Sequence, residues 1–132
     1  MAYKIIGDSC TDITEEMKRD GDVRLVPLTL SVEGNEFVDD ETFNRQLFIE
    51  KMKASEDCPR SACPSPERYM QEFEEQEECY VITLSSRLSG SYNSAVVARD
   101  LYLEEHPEAK IEIVDSRSAS CGQALLAMKI KE

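Results

Sequence analysis

The chain has 132 residues, 41% of them hydrophobic and 32% charged, and its 27 acidic against 15 basic side chains give a formal net charge of −12. A chain of that length makes one domain with a core that needs no metal or disulfide, and its composition is that of a globular protein rather than a disordered one. The charge argues against general nucleic-acid binding, which needs clustered Lys and Arg, and against an anionic membrane surface, but not against one small anion held by local donors.

In chain order, "YKII" (Tyr3 to Ile6) reads as a buried strand closed by "GDSCTD". "TDITEEMKRDG" has Thr and Asp ahead of Glu15 and Glu16 and ends on Gly21, which predicts a short helix. "RLVPLTLSV" (Arg24 to Val32) is β-branched and extended, with Pro27 pointing to an edge position or a bulge. "EGNEF" (Glu33 to Phe37) carries turn chemistry that opens a hairpin. "DETFNRQLFIEKMKAS" predicts a helix with Phe43, Leu47 and Met52 near one face. "SPERYMQEFEEQ" predicts another, capped by Ser65 with Pro66 at the first helical position and with Tyr69, Met70 and Phe73 on one side. The acidic run Gln71 to Glu78 reads as a solvated helix face. "CYVITL" (Cys79 to Leu84) and "KIEIV" (Lys110 to Val114) are further buried strands. Between them "SYNSAVVARDLYLEE" predicts a helix that stops at His106-Pro107, and "GQALLAMKIKE" predicts a last one. Strands alternating with helices predict an α/β fold, a mainly parallel β-sheet flanked by helices, in a single domain over 1–132.

Three strands end alike, in "KII-GDSCTD", "VITL-SSRLSG" and "IEIV-DSRSAS". Ligands of open α/β sheets bind beyond the carboxyl ends of the strands, where helix starts present unpaired N–H groups and a positive dipole end. Serine hydroxyls add donors and glycine permits close approach, so the cluster suits a carboxylate or a phosphate. At any one junction, helix capping by Ser85, Ser86 or Ser89 explains the serines equally well; three junctions on one edge favour a crevice. Asp8 and Asp115 oppose an anion there unless they turn away or hold hydroxyls in place, and both alternatives stay open.

No phosphate loop, dinucleotide turn or nucleophile elbow is present. The only histidine, His106, reads as a surface residue, so a Ser-His-Asp triad lacks its base. Cys63 beside Pro64 has no histidine near it in sequence. The five cysteines are odd in number and lack C-x-x-C spacing, which reads as reduced thiols in a cytoplasmic protein. The expectation is no secretory signal, no integral membrane segment, no metal site and no cofactor.

Four segments, in order, resemble the N-terminal domain of the DegV family, bacterial fatty-acid-binding proteins that act as acyl-carrying subunits of fatty acid kinase. "IIGDSCTDI" resembles the family's strand followed by Asp-Ser-x-x-Asp-Leu/Ile, and "RSACPSPERY" its Thr-Ser-Gln-Pro-Ser-Pro element. "ITLSSRLSGSYNSA" is similar to Ser-Ser-x-Leu-Ser-Gly-Thr-Tyr-Gln-Ser-Ala and is the most specific; "IVDSRSASCGQALL" resembles Val-Asp-Ser…Gly-Gln-Gly-Leu-Leu. The resemblance implies a carrier rather than an enzyme, holding a palmitate-like or oleate-like fatty acid by its carboxylate and presenting it to a fatty acid kinase. Carried over, the contacts fall on Ser61 and Ser89, with Gly90 allowing close approach and N–H donation, and on Ser91, with Asn93 a weaker candidate. Ala62 and Cys63 replace the family's Ser and Gln, and Ala124 stands where glycine is usual.

The family's second domain implies that this chain is an N-terminal fragment of a two-domain protein, binding fatty acid weakly or not at all alone and self-associating through its last helix. Two other classes compete with the carrier: a small-molecule phosphotransfer-related domain similar to the dihydroxyacetone kinase substrate domain, and a regulatory interaction module.

Overall fold

The computed structural model describes residues 3–74 and 78–132. Residues 75–77, the middle of the expected acidic face, lie outside the described residues. Four strands, β1 (Lys4–Asp8), β2 (Val23–Val26), β6 (Glu78–Thr83) and β7 (Lys110–Asp115), form an all-parallel sheet in the order β2-β1-β6-β7. Three more, β3 (Thr29–Val32), β4 (Asn35–Val38) and β5 (Arg60–Ala62), form an antiparallel sheet in the order β4-β3-β5. The helices are α1 (Glu15–Asp20), α2 (Arg45–Ala54), α3 (Pro66–Phe73), α4 (Ser91–Glu105) and α5 (Cys121–Lys131). The α/β architecture with a parallel sheet flanked by helices is the expected one.

Strand alternation splits the core between the two faces of the parallel sheet. Ile6 and Val81 point with Tyr69 and Phe73 of α3 and Ala95 and Ala98 of α4 into one cluster. Their neighbours Ile5 and Ile82 point to the opposite face, against Met17 of α1 and Ala127 of α5. The buried positions of α4 are Ser91, Ser94, Ala95 and Ala98, small side chains that let the helix lie close to the sheet.

Three local readings change, one of them at α2, which starts at Arg45 behind an Asn44 cap and so leaves Phe43 ahead of the helix. The extended run from Arg24 to Val32 is two strands in different sheets, broken at Pro27: β2 is an edge strand of the parallel sheet, and the chain then crosses to β3. Ser9 fastens the crossing, its N–H donating to the Val26 carbonyl (2.9 Å) and its hydroxyl accepting from the Leu28 N–H (3.0 Å). The first helix begins at Glu15 behind an N-cap at Thr14, whose hydroxyl accepts from the Met17 N–H, and not behind Thr11 and Asp12. The β3–β4 hairpin is as expected, with positive φ at both turn residues, Glu33 (48°) and Gly34 (80°), the mark of the mirror-image two-residue turn.

The strand order reverses direction at β1, since β2 lies on one side of it and β6 on the other. The loops leaving β1 and β6 therefore diverge and open a crevice at their carboxyl ends. The antiparallel sheet supplies a further wall.

Candidate functional site

The end of β1 carries a buried carboxylate. Asp8 has no exposed surface and accepts four hydrogen bonds: from the Leu84 N–H (2.7 Å), the Ser91 hydroxyl (2.8 Å), the Gln123 side-chain amide (3.0 Å) and the Cys10 N–H (3.2 Å). These partners belong to the β1–α1 loop, the β6–α4 junction and α5, so one anion ties three chain segments together. The Ser91 oxygen lies 2.6 Å from the Tyr69 hydroxyl. A serine hydroxyl has one proton, which Ser91 gives to Asp8, so Tyr69 is the donor to Ser91. Burial, and after it the Asp8 charge, raises the Tyr69 pKa and keeps that donor protonated.

Asp115, at the end of β7, plays a similar part. It accepts from the Ser86 N–H (3.1 Å), the Ser86 hydroxyl (2.5 Å) and the Arg117 N–H (3.1 Å). The Ser86 hydroxyl is the main cause of its lowered pKa. The question left open by the sequence is answered: both aspartates hold hydroxyls and loops in place.

Beside this framework lies a cleft of about 540 Å3. Ser61, Ala62 and Cys63 line it from β5 and beyond; Leu84, Leu88, Ser89 and Gly90 line it from the β6–α4 loop. Cys10, Leu28, Leu30 and Asp39 complete the wall. Three of the four candidate residues, Ser61, Ser89 and Gly90, are thus brought together. Ser91 is not among the lining residues: it is fully buried, with its hydroxyl engaged by Asp8 and Tyr69.

The donor chemistry of the cleft follows from its hydrogen bonds. Ser89 Oγ accepts from the Ser91 N–H (3.2 Å) at the start of α4, which leaves its own proton free to donate. No side chain caps α4; Gly90 occupies the N-cap position, and its N–H has no acceptor among the described residues. A Cβ at Gly90 would stand 3.1 Å from the Cys63 sulfur, so any other residue there would press on the cleft wall. No Lys or Arg lines the cleft, while Asp39 does, so an anion there is held by neutral donors. Burial, together with Asp8, Asp39 and Asp12, pushes the Cys10 thiol up to about 11, so it stays protonated at neutral pH. His106 stacks on Tyr102 at the far end of α4, and fifteen residues of helix put it roughly 22 Å from the cleft.

Reading the sequence residue by residue passes over Gln123, Tyr69, Cys10 and Asp39 as parts of this site. Gln123 had a visible signal, a polar side chain within the apolar run "GQALLAM". It is fully buried and donates to both Asp8 and Thr11. Tyr69 was legible as a buried helix-face residue but not as the donor to Ser91.

A family model for uncharacterised proteins of the DegV family matches residues 2–132. Among curated proteins, a DegV domain-containing protein of Streptococcus gordonii is 41% identical over 134 residues, covering 100% of this chain and 48% of the relative. Among solved structures, a DegV family protein from Ruminococcus gnavus, refined with vaccenic acid, is 45% identical with a TM-score of 0.94, over 99% of this chain and 48% of its own. The Fatty Acid Kinase (Fak) B3 protein of Streptococcus pneumoniae, loaded with linoleic acid, is 37% identical with a TM-score of 0.88, over 98% of this chain and 47% of its own. The chain therefore spans about half the length of the relatives it matches.

Proposed function

The chain belongs to the DegV family, and from that premise we propose that it carries a fatty acid, holding the carboxylate through the Ser61 and Ser89 hydroxyls and the Gly90 N–H for a fatty acid kinase to act on. The observation that carries this reading is the convergence of those donors from two segments, β5 and the β6–α4 loop, on one cleft whose other walls include Leu28, Leu30, Leu84 and Leu88. Donors and leucines lining the same cleft match an amphiphile with an anionic head. The fatty acids bound by similar proteins support the ligand class, and the Fak B3 protein supports the kinase as partner. The role is binding and presentation in the cytoplasm, without catalysis by this chain: the Cys10 thiol is protonated and His106 is distant. Phosphotransfer by the chain itself has no nucleotide loop to support it.

A hydrogen bond to a charged group contributes about 1.5–3 kcal/mol, whereas each buried methylene contributes about 0.8 kcal/mol. Most of the affinity for a long fatty acid therefore comes from covering its tail. In a protein of the relatives' length, the other half would supply that cover, and this span alone would bind weakly. The test is made at that length, by native mass spectrometry and by equilibrium binding of oleate and palmitate. Ser61→Ala or Ser89→Ala should weaken binding about ten- to hundredfold, and the double variant should lose co-purifying lipid. Unchanged affinity in a folded double variant would overturn the assignment. Circular dichroism is the needed control, because Ser89→Ala also removes the acceptor of the Ser91 N–H at the start of α4, a bond contributing roughly 0.5–1.5 kcal/mol.

A further inference from the structure

A second cavity is lined by residues of the same β6–α4 loop, and the fatty-acid head group does not use it. It too measures about 540 Å3 and is lined by Ser85, Ser86, Arg87, Asp115 and Arg117. Both arginines are exposed, and among the described residues neither guanidinium has an ion-pair partner. A chain with 27 acidic residues has no shortage of carboxylates to offer them. The one carboxylate in the cavity is already engaged: Asp115 accepts from the Ser86 hydroxyl and from the Ser86 and Arg117 N–H groups. Those bonds clamp the β6–α4 loop to the β7–α5 loop. The Ser85 N–H reinforces the clamp by donating to the Ser118 carbonyl at 2.9 Å. The two guanidiniums are thus carried on loops fixed to each other, and they outnumber the carboxylate two to one.

We propose that this cavity is a subsite for a phosphoryl group, held between Arg87 and Arg117. A guanidinium presents parallel N–H donors in a planar fork that fits two oxygens of a phosphate. A carboxylate has oxygens for one such fork, whereas a phosphoryl group has three oxygens and up to two charges, enough for both. The position agrees with this assignment. Arg87 precedes Ser89 by two residues on one loop, so their Cα atoms are at most about 7 Å apart, within the span of an arginine side chain. The inference rests on the carrier reading, because a carboxyl held at Ser89 puts any phosphoryl group that approaches or joins it within reach of Arg87.

The experiment follows the arginine side-chain N–H resonances of the chain while inorganic phosphate, and in a second series adenosine triphosphate, is added. Saturable shifts at Arg87 and Arg117 are expected, with affinity at least about tenfold lower in Arg87→Gln/Arg117→Gln. Equal affinity for the two probes would assign the cavity to the transferred group, and much tighter triphosphate binding would assign it to the phosphoryl donor; both uphold the subsite. Absence of a saturable shift at the two guanidiniums, or undiminished binding by the double variant, overturns it. Oleate binding is measured on the same pair of sequences at the relatives' length and should be unchanged in the double variant. At that length, phosphate binding without oleate binding would sink the carrier reading, and oleate binding without phosphate binding would sink the subsite alone.

Discussion

Ser89 and Ser91 are two residues apart, yet the start of α4 sends one hydroxyl inward, where it bridges Asp8 and Tyr69, and leaves the other at the cleft. Their substitutions should therefore separate two kinds of loss. Ser91→Ala removes the acceptor of a buried tyrosine and one donor to a buried aspartate, and an unsatisfied buried group costs about 1–3 kcal/mol. Urea unfolding should show an unfolding free energy lowered by that amount, as a lower midpoint at unchanged slope, and with a smaller fractional loss of fatty-acid affinity than of stability. Ser89→Ala should show the reverse ranking, since its hydroxyl proton has no partner among the described residues. Equal stability of wild type and Ser91→Ala would mean that the Asp8 network is not holding the junction. The residue scale is also where sequence reading was weakest. Three partners of Asp8, Leu84, Ser91 and Gln123, lie 76, 83 and 115 residues away, and no local pattern foretells such pairings.

Elements whose ends are decided locally were legible, and those decided at long range were not. Ser65 and Pro66 start α3 where the capping rules put them, and the His106-Pro107 pair ends α4 as expected. Thr11 and Asp12 read as the start of α1, but the Thr11 hydroxyl accepts from Gln123 and its backbone bridges to Ser120, which leaves Thr14 to start the helix. The break at Pro27 was visible as a proline but not as a change of sheet, because only pairing partners distinguish the two. The antiparallel sheet and α2 have the thinner packing. No residue of α2 is fully buried, and Phe48 ties the helix down through Phe37 (ring centroids 5.3 Å apart) and Phe43 (5.6 Å). Regions with few buried apolar contacts open first, so hydrogen exchange should be fast in α2 and slow in β1 and β6. Phe48→Ala should abolish the remaining protection of α2 while leaving the parallel sheet protected. Loss of protection throughout would show instead that the molecule unfolds as one unit.

At the scale of the whole molecule, the exposed apolar surface on α5 sets a balance that can be reckoned. Its inner face is closed by Gln123, Ala124 and Ala127, but Leu125 is 65% exposed and Met128 40%, and their spacing of three puts them on one outward face. In a two-fold dimer through this face, four such side chains leave water. Full burial of each would contribute about 1.5–3 kcal/mol and partial burial about half, so the face offers some 3–6 kcal/mol. Association itself costs at least about 4 kcal/mol in lost translational and rotational freedom, which leaves at most about 2 kcal/mol, so a dimer of the 132-residue chain should be very weak, with a dissociation constant of tens of millimolar or more. A partner on the same polypeptide avoids most of that cost through its high effective concentration, which is how a protein of the relatives' length would cover the face. Sedimentation equilibrium at high concentration should therefore find at most weak self-association of this chain. Salt should strengthen it, because two copies of net charge −12 repel each other and added ions screen that repulsion. Leu125→Glu/Met128→Glu should remove it. Association that survives those substitutions, or that weakens as salt is added, would place the contact elsewhere on the surface.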